Sequence, residues 1–106
     1  MNPKSLTQYS GPNLIIHLPS ELDENTCPQI TSELKARMTH RHPTTLIFDF
    51  TTTIFMDSAA IGMLLARYKE LSLTGTTIYL TGERERIQKI LRMSGIYTII
   101  KHIDMP

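Results

Sequence analysis

The 106-residue chain, 41% hydrophobic by composition, has enough apolar content for one compact core without covalent staples, and a single domain over 1–106 is expected. Eleven basic side chains against ten acidic ones, with no long block of either sign, argue against a nucleic-acid or polyanion partner. Cys27 is the only cysteine, so neither an internal disulfide nor a cysteine-rich metal site is expected, and a reducing cytoplasmic setting fits. The N-terminal MNPKSLTQYSGPN has no apolar leader, and the longest apolar stretch, 59–66, is too short to span a bilayer, so no direct membrane insertion is expected.

An extended stretch around Leu6 to Tyr9, the turn signal Gly11-Pro12-Asn13 and the apolar run Leu14 to Leu18 predict a hairpin. Thr26-Cys-Pro-Gln29 has capping-box spacing, with Pro28 in a first turn that needs no donor there. Apolar Cys27, Ile30, Leu34 and Met38 then recur at helical spacing until the polar stretch before Pro43. Thr45 to Phe50 is rich in β-branched and aromatic residues and reads as a central parallel strand covered on both faces. From Asp57 or Ser58 to Leu71, Ile61, Leu64, Leu65, Tyr68 and Leu71 mark one helical face. Thr76 to Leu80 reads as a strand, Glu83 to Met93 as a helix with a Glu85–Lys89 pair, Gly95 as its stop, and Tyr97 to Ile103 as a last strand.

Strands alternating with helices near 26–39, 58–71 and 84–93 predict an α/β fold with a mixed, mostly parallel sheet and packed helices. In such sheets functional groups gather beyond the strand C-termini, where Asp23, Asp49 and Asp57-Ser58 fall. Asp57-Ser58 has two readings. A helix start needs one polar cap, so one of the pair is explained by capping alone. Alternatively Asp57 caps and Ser58 is presented as a phosphoacceptor, its phosphate favoured by the free N–H groups and the helix dipole. Asp23 is either a solvated loop acid or part of an acidic rim around Ser58, and Asp49 either satisfies loop N–H groups or serves function.

Other chemistry is poorly supported. His40 and His42 lack a third ligand, so no metal is expected; His17 and His102 read as structural. No nucleotide-binding motif or G-x-S-x-G elbow is present, so neither a cofactor nor catalysis is expected, and a phosphate on Ser58 must come from another protein. Met38, Met56, Met63, Met93 and Met105 could form a sticky surface, but most read as flexible core filler.

The ordered set Leu14-Ile-Ile-His-Leu18, Glu21-Leu-Asp23, Leu46-Ile-Phe-Asp49, Phe55-Met-Asp-Ser58 with Gly62, and Arg92-Met-Ser-Gly-Ile96 resembles the STAS domain over 14–103. Segment 55–69 is most similar to the bacterial anti-sigma-factor antagonists. The resemblance implies a STAS-like fold and a serine, matched by Ser58, that is phosphorylated by a partner serine kinase which is itself an anti-sigma factor. It also implies partner binding through Asp23, Asp57, Ser58, Ala59, Ile61 and Gly62. Three features depart from the family pattern: Ala59-Ala60 replaces a hydroxyl residue and a glycine, Ser20 replaces the glycine before Glu-Leu-Asp, and the chain ends at Pro106 where relatives continue into a further helix. Ala59-Ala60 supports a second reading, a STAS adaptor subunit of a transport or sensory assembly that is never phosphorylated.

Overall fold

The computed structural model describes residues 6–105; the N-terminal residues 1–5 read above for a leader, and Pro106, lie outside it. Strands β1 (Leu6–Ser10) and β2 (Asn13–His17) form the expected antiparallel hairpin, with Gly11 at φ 59° in the turn. Three further strands, β4 (Thr45–Asp49), β6 (Thr77–Thr81) and β7 (Lys101–His102), complete a five-stranded sheet of order β1-β2-β4-β6-β7 that is parallel from β2 onward. Strand β4 is central, as its continuous apolar run requires. Leu46 and Phe48 join Leu14, Ile16, Ile78 and Leu80 in the core cluster, while Ile47 and its β2 neighbour Ile15 are buried on the other face of the pleat.

Helices α1 (Cys27–Met38), α2 (Ser58–Ser72) and α3 (Glu85–Ser94) add Ile30 and Leu34, Ala60 and Leu64, and Ile87 and Leu91 to the same core. The Thr26–Gln29 capping box does not form. The Thr26 hydroxyl instead accepts from the Asp23 N–H (3.0 Å) and donates to the Glu21 carbonyl (2.9 Å), while the Gln29 amide donates to the Asn25 carbonyl (3.1 Å). Its oxygen is taken by the preceding loop, which therefore arrives at α1 in a fixed path. The expected Glu85–Lys89 pair is also not made; both side chains are exposed, where such pairs contribute little.

The predicted strand over Tyr97–Ile103 is corrected to a 3-10 turn, Ile96–Thr98, followed by the two-residue β7. Gly95, at φ 84°, ends α3, and the Ile99 and Ile100 N–H groups both bond back to the Ile96 carbonyl. Ile96 and Ile100 are the buried residues of this segment while Thr98 between them is exposed, a pattern that a strand's period of two would not give.

A second sheet has two strands of two residues each, β3 (Glu21–Leu22) and β5 (Phe55–Met56), paired in parallel. Neither was expected from sequence, yet this pairing joins the two loops that carry the candidate site.

Candidate functional site

Two loops are fastened side by side. The Ser20 carbonyl accepts the N–H groups of Ile54 (2.8 Å) and Phe55 (3.1 Å), the Leu22 carbonyl accepts that of Asp57 (3.2 Å), and the buried Thr53 hydroxyl donates to the Pro19 carbonyl (2.8 Å). The start of α2 is thus tied to the Asp23 loop through backbone groups. Ser20 fits this path without strain, since no described non-glycine residue has positive φ.

Asp57 is the N-cap of α2: its backbone is extended and its carboxylate accepts from the Ala59 N–H at 2.8 Å. The cap requirement is met by Asp57 alone. Ser58, the first helical residue, is exposed, and its hydroxyl makes no hydrogen bond to any described residue. Ala59 and Ile61 are half-buried, packing their inner sides on the core, and Gly62 is exposed one turn beyond Ser58 on the same side of the helix.

Asp23 takes the loop role considered for it. Its carboxylate accepts from the N–H groups of Asn25 (2.9 Å) and Thr26 (3.0 Å), which fixes the loop, and it remains half-exposed beside the α2 start. Its field and that of Asp57 converge on Cys27: burial, reinforced by Asp57 and then Asp23, pushes the thiol up to about 11, so Cys27 is no nucleophile at neutral pH. Across segments 18–26 and 50–62, Glu21, Asp23, Glu24 and Asp57 stand without a single Lys or Arg. The rim is acidic.

Asp49 is not part of it. The Thr51 N–H (2.9 Å) and hydroxyl (2.5 Å) donate to one carboxylate oxygen, and His17 Nδ1 lies 2.7 Å from the other. Burial works to raise its pKa, but the two Thr51 bonds and His17 outweigh it and hold the carboxyl below its ordinary value. This is the structural role, a carboxylate satisfying its loop. His40 and His42 are exposed, and no group of three potential ligands is placed to hold a metal among the described residues.

Sequence reasoning missed Ile54 and Phe55. Each is 50% exposed, and their backbones are pinned by Ser20, so two large apolar side chains are held at the rim, three and four residues before Ser58. The signal was an apolar pair after Thr51-Thr52-Thr53 that belongs to no helical or alternating pattern.

A small parallel sheet thus brings an acidic loop and an exposed helix-start serine to one apolar-edged rim of an α/β domain. The chain belongs to the STAS domain family, which it matches over residues 4–105. It is 26% identical over 91 residues to a protein of Paenibacillus polymyxa named anti-sigma F factor antagonist, covering 86% of this chain and 78% of that one. A protein of the same name from Lysinibacillus sphaericus is 29% identical over 91 residues, with the same coverage. In three dimensions the chain is similar to the anti-sigma factor antagonist SpoIIAA in its unphosphorylated form, with a TM-score of 0.83, 24% identity, and coverage of 97% of this chain and 89% of that one.

Proposed function

We propose that the chain is an anti-sigma-factor antagonist: a switch that binds a serine-kinase anti-sigma factor while Ser58 is unmodified and is released when that kinase phosphorylates Ser58. The observation that carries this reading is the division of labour at the α2 start, where Asp57 supplies the cap and Ser58 is left exposed and unbonded. The hydroxyl has no task within the fold. The relatives named anti-sigma F factor antagonist favour a regulatory binding protein of this kind over the adaptor reading.

The binding face comprises Asp23, Asp57, Ser58, Ala59, Ile61 and Gly62, extended by Ile54 and Phe55. Exposed aromatic and aliphatic anchors on a rigid backbone lose little freedom on docking and suit the centre of an interface. Gly62 adds a second argument. A Cβ built there meets nothing within 4 Å, so no internal contact requires glycine in this helix, where it is destabilising. A partner backbone approaching closely explains its presence. Ala59-Ala60 leaves the helix sound: Ala60 is fully buried, and half-buried Ala59 presents a methyl group where a second hydroxyl would stand beside Ser58.

Phosphate at Ser58 brings about −1.5 to −2 charges to a rim already holding four carboxylates, and closing the interface would strip water from it. The fold tolerates the group because a helix N-terminus accepts anions and Ser58 faces water. In this reading the nucleotide comes from the partner kinase, and the chain works in the cytoplasm without catalysis of its own. Among the described residues no helix is long and apolar enough to cross a membrane. Incubation with cell extract and ATP followed by intact-mass and fragment analysis tests the reading. One phosphate on Ser58, absent in Ser58→Ala, is expected; an unmodified chain recovered with transport or sensory subunits and no kinase would replace it with the adaptor.

A further inference from the structure

Strand β7 carries His102, whose imidazole stands between two carboxylates. Its Nδ1 is 2.8 Å from Glu83 Oε1, and its Nε2 is 2.8 Å from Asp104 Oδ1. The surroundings of the two acids differ. The Glu83 side chain is completely buried and its other oxygen accepts from the Tyr97 hydroxyl at 2.7 Å, whereas the Asp104 side chain is 96% exposed. An ionised carboxylate only accepts, so the ring makes both bonds as the imidazolium, with an N–H on each nitrogen. The bonded Glu83–His102 pair therefore holds one proton beyond a carboxylate and a neutral ring. A neutral ring has one N–H to give. Its Nδ1–H tautomer keeps the bond to Glu83, which is sealed from solvent, and sets the Nε2 lone pair against Asp104, whose carboxylate is free to swing into water.

The other groups facing the ring do not supply that missing donor. Arg92 and Gln88 of α3 and Tyr97 of the 3-10 turn line one recess with His102. The Arg92 cation opposes the imidazolium, and Tyr97, pushed above its ordinary pKa by burial and by Glu83, stays a hydroxyl bonded to Glu83. Two bonded carboxylates outweigh the one cation: hydrogen bonds to Asp104 and then to Glu83 hold His102 above its ordinary value, against the burial that works to lower it. Asp104 is also where the segment after β7 is tied down. Ile103 donates its N–H to the Leu80 carbonyl at 2.8 Å, but the backbones of Asp104 and Met105 make no such bond among the described residues. These two residues form one wall of a cavity of about 420 Å3 whose other side carries His17, Asp49, Thr51 and Thr81. We propose that His102 is a pH-operated latch: protonated, it holds Asp104 and Met105 in place as that wall, and deprotonated, it releases them and opens the cavity. The latch uses no residue of the binding face and does not depend on the switch reading.

Histidine-resolved NMR of the intact chain between pH ~5 and ~9 tests it, with the His102 ring nitrogens and the Met105 amide and methyl followed together. Both ring nitrogens are expected to be protonated below a midpoint that lies above ~6.5, the ordinary histidine value, with an Nδ1–H tautomer above it. Met105 should be ordered below that midpoint and gain fast motion above it. His17 lines the same cavity, so its ring is followed as a separate resonance. Asp104→Ala, a change at an exposed site, should free Met105 at every pH and lower the His102 midpoint. A His102 midpoint at or below ~6.5, Met105 motion that ignores that midpoint or follows His17 instead, or unchanged pH dependence of Met105 in a folded Asp104→Ala variant would each overturn the proposal. Because the wild-type titration separates the two histidines without any variant, a misfolded Asp104→Ala leaves the test intact.

Discussion

Replacing Gly62 with alanine should move stability and partner binding in opposite directions. The position lies well inside a 15-residue helix, has ordinary helical backbone, and offers open space within 4 Å of an added Cβ, so the methyl group costs nothing in the free protein. Alanine exceeds glycine in helix propensity by about 0.8 to 1 kcal/mol, a gain that already includes the reduced freedom of the unfolded chain. A gain of ~0.5 to 1 kcal/mol is therefore expected, which for a domain of this size raises the Tm by roughly 3 to 6 °C. At the interface the same methyl group would occupy space needed by the partner, and overpacking typically costs ~1 to 3 kcal/mol, or about 5- to 150-fold in affinity. Urea denaturation and isothermal titration against the purified anti-sigma kinase measure the two effects on one variant. A stabilised Gly62→Ala protein that binds as tightly as wild type would remove Gly62 from the interface, and a destabilised one would refute the account of its backbone.

Phe55→Ser should lower partner affinity by about 2 kcal/mol, the scale of an interface anchor, while changing unfolding free energy by less than ~1 kcal/mol because half of the side chain is already in water; unchanged titration isotherms would contradict its role. Gly82→Ala should destabilise by about 2 to 4 kcal/mol in urea denaturation, because the residue sits at φ +74° and a Cβ would lie 2.8 Å from Asp49 Oδ1 and 2.9 Å from the Thr51 N–H nitrogen. A loss below ~1 kcal/mol would mean that the Asp49–Thr51 loop yields easily. His102 is held above its ordinary pKa by hydrogen bonds to Asp104 and to the buried Glu83, each 2.8 Å away. Its folded state therefore keeps a proton that the unfolded chain releases near pH ~6.5. The associated stabilisation is complete below that pH and is lost as pH rises through the folded value, so wild type should lose stability across that window and His102→Gln should lose less; identical slopes would refute the assignment.

The parts legible in the sequence were those governed by periodicity over several turns or residues. Apolar spacing along Ile30, Leu34 and Met38 and along Ile61, Leu64 and Leu71 found two helices, and the mostly apolar, β-branched and aromatic run Thr45 to Phe50 found the central strand. Asp57 and Ser58 were separable in advance because a helix start needs one cap, and the structure assigns that cap to Asp57. Short-range competition hid the rest. Thr26 has the spacing of a capping box, but its oxygen is claimed by Glu21 and Asp23 of the preceding loop. Tyr97 to Ile103 is apolar enough for a strand, and Gly95 with the Ile96 carbonyl bends its first half into a 3-10 turn. The two-residue strands β3 and β5 are shorter than any sequence period, so the contact that sets Asp23 beside Asp57, and leaves Ile54 and Phe55 outside, emerges from tertiary pairing alone.

The central claim is that phosphate on Ser58 controls binding. Titrating the partner kinase with unmodified chain and with chain phosphorylated at Ser58, both folded, measures it directly. Repulsion from the acidic rim and desolvation of the phosphate predict a loss of ~2 to 3 kcal/mol, or roughly 30- to 150-fold weaker binding of the modified form. Equal affinity of the two forms would contradict the account and leave Ser58 as an exposed first residue of a helix.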